Sequence, residues 1–201
     1  MKRLAYYAGI PALAAVVLLA CGGEVTPPLP GDRFEPVTPE AVLKNVVRSW
    51  NRGDFELFTT CLAPDFAFYF NPDDVGVEVE GYQIPVSWNR AEMEEAVVEM
   101  LTHAYSADMS IPTSTVGTPR EADKTWRADN VTVAFTLLTS PGSGFRVGAG
   151  YCDFVFKRYE EGGQHRWRLT EWRDLTRESR ATAAAPGICP SSLGRMLALY
   201  N

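Results

Sequence analysis

The sequence predicts an α+β fold, with helices gathered in the N-terminal half and a strongly curved antiparallel sheet built from the rest. Two observations lead there. Before about residue 105, apolar residues recur at helical spacing in three separate stretches; beyond it they alternate with a period of two. The clearest stretch is Phe145 to Thr176, where two runs rich in aromatic and β-branched residues flank Glu161-Gly162-Gly163-Gln164, the pattern of a hairpin with a longer loop. A long helix lying in the concave side of a bent sheet would bury both apolar faces at once.

Each element has its own signal. Thr38-Pro39-Glu40 starts the first helix, with Thr38 as N-cap, Pro39 at the first helical position and an acid in the first turn. Val42, Leu43, Val46, Val47 and Trp50 form its apolar stripe, and Gly53 ends it. Asp54 caps a short second helix carrying Leu57, Phe58, Cys61 and Leu62, which Pro64 breaks. Phe66, Phe68 and Phe70 alternate with Ala67 and Tyr69 as a strand. Asn71 to Trp88 reads as a long loop with a small hairpin near Val77 and Val79, crossing the mouth of whatever the sheet encloses. Asn89 and Glu92 have the spacing of a capping box and open the third helix, whose face is Met93, Ala96, Val97, Met100, Leu101 and Ala104. An edge strand near Met109 to Val116, interrupted by Pro112, precedes a strong strand from Trp126 to Leu138. Leu193, Met196, Leu197 and Tyr200 mark a short amphipathic helix near the C-terminus.

The composition, 46% hydrophobic and 22% charged, is that of an ordinary globular chain. A formal charge of −6 without clustered Lys and Arg argues against a nucleic-acid partner. Both histidines are isolated and no cysteine spacing resembles a zinc site, so neither metal nor cofactor is expected. Asp73-Asp74 with Glu78 and Glu80 lacks a calcium-loop pattern and reads as a solvated charged loop.

The N-terminus reads as an address. Lys2 and Arg3 precede an apolar run from Leu4 to Ala20, too short for a stable membrane span. The run ends Leu18-Leu19-Ala20-Cys21-Gly22, which resembles the bacterial lipobox, where the cysteine becomes the acylated N-terminus. Residues 1–20 are then a lipoprotein signal peptide, 21–37 a Pro-rich tether, 38–178 the folded domain and 179–201 a C-terminal tail with its short helix. Loss of Lys2 and Arg3 takes the formal charge from −6 to −8. The expected location is the bacterial cell envelope, on the outer membrane where the cell has two, since no aspartate follows Cys21. Of the remaining cysteines, Cys152 lies mid-strand among large apolar neighbours. The expected disulfide is Cys61–Cys189, a long loop closure that would stabilise by roughly 4–5 kcal/mol.

Ser49-Trp50-Asn51-Arg52-Gly53-Asp54, Asp65-Phe66-Ala67-Phe68-Tyr69-Phe70 and Trp167-Arg168-Leu169-Thr170-Glu171-Trp172-Arg173-Asp174-Leu175, in this order of elements, resemble the nuclear transport factor 2-like (NTF2-like, SnoaL-like, cystatin-like) cone superfamily over about Thr38 to Arg177. The resemblance implies a curved sheet wrapped around three helices, a tapered pocket and dimers through the sheet. It implies no single activity, because the superfamily holds cyclases, isomerases, epoxide hydrolases, dehydratases and many non-catalytic proteins.

Trp172-Arg173-Asp174 resembles the last-strand Trp-Arg-Asp of limonene-epoxide hydrolases, where the Asp acts with an Arg-x-Asp pair on an earlier strand. Here the only Arg-x-Asp in the strand-forming part of the chain is Arg127-Ala128-Asp129, at the start of its strand, while Val131 to Leu138 offers no charge. Structural use of Arg173 and Asp174 as a strand-end pair or cap therefore outweighs catalysis. Asp153 alternates with Tyr151 and Val155, opposite Cys152, Phe154 and Phe156. If its face looks toward the helices, a carboxylate sits in an apolar cone. If the Cys-Phe-Phe face does, Asp153 lies outside and meets Arg173 or Arg168 across the strand pair, and Cys, Phe and Phe make the better core. The catalytic candidates are thus Asp153, Asp174, Tyr69 and His103, the last at the edge of the third helix's apolar face. Trp50, Tyr69, Trp88, Tyr151 and Trp172 are the candidates for lining a pocket, although at these spacings aromatics are first of all core. The expected function is a lipid-anchored binding or accessory protein whose cone holds a small apolar ligand or nothing; the competing reading is a hydrolase, isomerase or cyclase using pocket carboxylates. Asp174→Asn, nearly isosteric, is expected to leave the fold standing. Replacing Cys21 with Ser is expected to release the protein from membranes as a soluble species; retention of the variant through detergent-free washing would dispose of the anchor.

Overall fold

The computed structural model describes residues 33–176 and 188–201, with backbone alone for 146–149 and 188–190. Lipidation at Cys21 and the signal peptide lie outside the described residues. Helices α1 (Pro39–Arg52), α2 (Phe55–Cys61) and α3 (Arg90–His103) begin where their caps are written. Thr38 accepts from the Ala41 amide at 3.1 Å and Asp54 from that of Leu57 at 2.9 Å. Asn89 and Glu92 close a complete capping box, at 3.1 and 2.7 Å. Gly53 takes the left-handed conformation, φ 65°, that lets α1 stop and α2 start at once.

Strands β1 (Leu62–Tyr69), β4 (Ser87–Asn89), β5 (Ser106–Ser110), β6 (Thr125–Ser140), β7 (Ser143–Glu161), β8 (Gln164–Asp174) and β9 (Ile188–Ser191) form one sheet in the order β4-β1-β8-β7-β6-β5, with β9 added to β7. A separate hairpin, β2 (Glu78–Val79) and β3 (Tyr82–Gln83), sits in the 71–88 loop, where the Val77/Val79 alternation places it. The sheet is strongly curled, and it is mixed rather than antiparallel throughout: β1 runs parallel to β8, and β9 parallel to β7. The expected edge strand is displaced. It ends at Ser110, before Pro112, which has no N–H to give a ladder, and Thr113–Val116 is a 3-10 turn held by the Trp126 indole, which donates to the Val116 carbonyl at 2.8 Å.

Bulges set which residues face the helices. In β8, Trp167 and Leu169 point inward; an extra residue opposite the Val155–Phe156 step then shifts the parity, so that Trp172 and Asp174 point inward too. Thr170, the extra residue, satisfies itself by donating to the Val155 carbonyl at 3.0 Å. A second irregularity in β6, between Ala128 and Val131 with Asn130 at φ 54°, turns Val131, Val133, Phe135 and Leu137 onto the inner face.

That face meets the apolar stripes of α1, α2 and α3 in one core. The tail read at 179–201 contributes to it: β9 pairs with the sheet, and Leu193, Met196 and Leu197 of α4 (Leu193–Ala198) are buried. The other end of the domain is strapped as well. Asn45 on α1 holds the Phe34 backbone in two hydrogen bonds, 2.7 and 2.9 Å, so residues 33–37 of the expected tether lie against the body. Trp172 sits at the centre of the core with no exposure, its ring 5.3 Å from that of Phe154, 5.9 Å from Phe68 and 6.0 Å from Trp50. Trp172→Ala is expected to cost about 3–5 kcal/mol in urea unfolding, as a core truncation.

Candidate functional site

A cone of this kind would hold its site on the concave side, so the residues there decide what chemistry is open to it. They are overwhelmingly aromatic. Trp50, Trp88 and Trp172, three of the expected pocket residues, are buried and pack edge-on or tilted with Phe58, Phe68, Phe70, Phe135 and Phe154. Trp88 has a hydrogen-bond partner, the Tyr82 hydroxyl at 2.8 Å. Among the described residues the indole N–H of Trp50 is buried without one, and that of Trp172 has only the Cys152 sulfur beside it. Cys152 faces the Trp172 edge, and burial, with Asp174 adding to it, raises the Cys152 thiol well above its ordinary range, so it stays neutral.

The inward carboxylate is Asp174, 1% exposed at the end of β8. One oxygen accepts from the Thr176 amide at 2.8 Å and its hydroxyl at 2.5 Å; the other accepts from the Gly194 amide at 2.7 Å, in the first turn of α4. The Leu193 amide donates to the Thr176 hydroxyl at 2.7 Å. The approach is close enough that a Cβ on Gly194 would meet the Phe70 ring at 2.7 Å, and one on Gly150 would meet the Thr176 backbone at 2.9 Å. A second carboxylate completes the clamp. Asp74, in the loop expected to be solvated, is 2% exposed and takes the Ser192 hydroxyl at 2.5 Å and the Arg195 guanidinium at 2.6 Å. It is buried because α4 covers it. Asn71, in the same loop, donates to the Thr176 carbonyl at 2.5 Å. Burial pushes the Asp174 carboxyl up to about 7, against the hydrogen bonds from Thr176 and Gly194 that favour its charge; Asp74 adds to the rise.

The other candidates do not converge on this point. Cys152, Phe154 and Phe156 form the buried face, so Asp153 lies on the outer one. It is paired there with Arg127 at 3.0 Å and the Asn130 amide at 2.8 Å, rather than with Arg173 or Arg168. Arg127 also bonds Asp129, so the Arg-x-Asp of this strand closes on itself outside the cone. Tyr69 lies under the Arg173 guanidinium, 4.2 Å from the ring centre, while Arg173 pairs with Glu171. Tyr151 is 52% exposed on the outer face, which takes it out of any concave pocket wall. His103 is exposed at the end of α3, its Nδ1 2.9 Å from the Glu99 carbonyl. Cys61 is a free buried thiol bonded to the Leu57 carbonyl at 3.3 Å, which overturns the Cys61–Cys189 bridge: Cys61 adjoins the Leu62–Leu169 pairing, whereas Cys189 pairs with Phe145 on another strand. Among the described residues no group of three or more His, Cys, Asp or Glu could hold a metal, and no helix is long and apolar enough to cross a membrane.

No family model matches the chain, and no curated protein does. Solved structures resemble it at low identity. One is an uncharacterised protein with a cystatin-like fold from Caulobacter vibrioides, 17% identical, covering 70% of this chain and 87% of its own, TM-score 0.45. Another is a candidate scytalone dehydratase from Novosphingobium aromaticivorans, 11% identical, covering 73% and 89%, TM-score 0.47. A third is an NTF2-like protein of unknown function in nutrient uptake from Rhodospirillum rubrum, 14% identical, covering 66% and 92%, TM-score 0.42. The chain's own element order and sheet are those of the NTF2-like, cystatin-like cone that its sequence resembles.

Asn is a poorer stand-in at position 174 than its shape suggests, because once the carboxyl has lost its proton every partner it holds is a donor. Its amide NH2 would face the Gly194 or Thr176 N–H, and Asp174→Asn is expected to destabilise by about 1–3 kcal/mol. The native carboxyl keeps its proton up to about 7, whereas the ordinary value is 3.8. Its stabilising contribution is therefore full below about 4 and is lost as pH rises through 7. Urea midpoints across that window should fall more steeply for the wild type than for Asp174→Asn; parallel curves would contradict the assignment.

Proposed function

We propose that this cone-shaped domain is a lipid-anchored binding or accessory module of a bacterial envelope rather than an enzyme. One observation carries the reading: the inward carboxylate directs both oxygens at the chain's own Thr176 and Gly194, while Asp153, Tyr69 and His103 are engaged elsewhere. A general acid or base has to reach a substrate proton. Asp174 reaches amides and a hydroxyl that it cannot release without freeing α4. The aromatic side chains of the concave face also pack against one another, leaving binding or scaffolding as the role the interior suits.

A second reading keeps a ligand inside the cone. It is favoured by the Trp50 indole N–H, which is buried without a partner among the described residues and able to donate to an ether or carbonyl oxygen of a small apolar molecule. Native mass spectrometry of protein purified from its own envelope separates the two. A stoichiometric small molecule supports the ligand-holding form; a bare domain, or one carrying a protein, supports the accessory form. Hydrolase, isomerase or dehydratase turnover that disappears in Asp153→Asn or Asp174→Asn, with the fold intact by circular dichroism, would overturn both.

A further inference from the structure

A cleft of about 320 Å³ opens outside the cone, where the strap at residues 33–36, the end of α2 and the β7–β8 hairpin meet. Phe34 and Pro36 form one wall. They are fixed in place, Phe34 by its two backbone bonds to Asn45 and Pro36 by its carbonyl, which accepts from the Trp167 amide at 2.7 Å. Leu57 and Cys61 form an uncharged floor: both are buried, and burial pushes the Cys61 thiol up to about 12, so it carries no thiolate at neutral pH.

The charges around the cleft are unequally committed. Arg168 is held by Glu161 in a two-pronged pair at 2.8 and 3.0 Å, and its hydrogen bonds hold the Glu161 carboxyl below its usual range. Arg33 reaches Asp54 at 3.5 Å. Glu35 is exposed at the rim. Arg166 is half-buried and lines the cleft; its side chain makes neither a hydrogen bond nor an ion pair among the described residues, and acts on Glu161 only through its charge, as a minor addition to the Arg168 pair. A partly desolvated guanidinium beside an apolar wall, with the neighbouring carboxylate already taken, favours an anionic partner that brings its own apolar surface.

We propose that this cleft binds a small organic monoanion, its carboxylate on Arg166 and a short apolar tail along Phe34 and Leu57. The volume suits a ligand of that size. Because Phe34 and Pro36 belong to the strap, ligand binding and strap docking stabilise each other, so occupancy would raise the melting temperature.

The test titrates sodium hexanoate into the purified full chain, with inorganic phosphate as a headgroup lacking the tail, read by isothermal calorimetry and thermal melting. Saturable hexanoate binding is expected. Arg166→Gln should weaken it roughly tenfold or more, Arg166→Lys less, and Phe34→Ala should weaken it while leaving the ligand-free melting temperature close to wild type. The Lys variant retains a cation should the Gln variant fail to fold. No saturation at tens of millimolar, phosphate binding in place of hexanoate, or unchanged affinity in a folded Arg166→Gln would each overturn the proposal.

Discussion

Between Leu169 and Glu171 the last long strand holds one residue more than its neighbour, and the inner surface depends on that excess. A strand alternates sides without exception, so without the bulge Trp172 and Asp174 would look outward and Arg173 inward. With it, one strand supplies Trp167 and Leu169 to one end of the core, and Trp172 and Asp174 to the other. Thr170 keeps the irregularity from leaving a polar group bare by donating its hydroxyl to Val155. The central tryptophan and the carboxylate that receives α4 both follow from this local register shift.

What the inner surface does with its polar groups is the support for the proposed non-catalytic reading. Catalytic carboxylates need an unsatisfied direction in which a substrate can sit. Asp174 and Asp74 are each satisfied by donors from the chain, and those donors belong to the segment that closes the core. The interior resembles a closed joint more than a vessel. The indole of Trp50 is the exception among the described residues, and an unpaired buried donor is a cost the fold carries unless something accepts from it.

Much of the architecture was legible because its signals are local. Thr38, Asp54 and Asn89 act within four residues of themselves, and each caps the helix its position announces. The Phe66–Phe68 and Cys152–Phe154–Phe156 alternations likewise name their own buried sides. The remainder depends on partners that local patterns do not point to. Asp74 reads as one more acid in an acidic loop until Ser192 and Arg195 arrive from far along the chain. Asn45 and Asn51 look like ordinary polar positions of a helix, yet each pairs with an extended backbone as a neighbouring strand would, Asn45 with Phe34 and Asn51 with Met109. The parallel β1–β8 pairing escaped for the same reason, since consecutive strands suggest hairpins whereas this contact spans the domain. Thr170 could have been suspected: inward Trp167 and Leu169, followed by an aromatic at Trp172 rather than at 171, break the period of two.

The clamp between Asp74 and Ser192 joins positions 118 apart in sequence, and that between Asn71 and Thr176 joins positions 105 apart. Contacts of such span are the last to be closed, because the loop between them must be ordered first. A chain that enters its folding compartment N-terminus first would present α1, α3 and most of β7 before the residues that cover Asp74 arrive. During that interval the aromatic inner face would stand open along one side, the state in which a partly folded chain is most exposed to association with its neighbours. The short final helix thus sets the moment at which the protein becomes safe to leave alone.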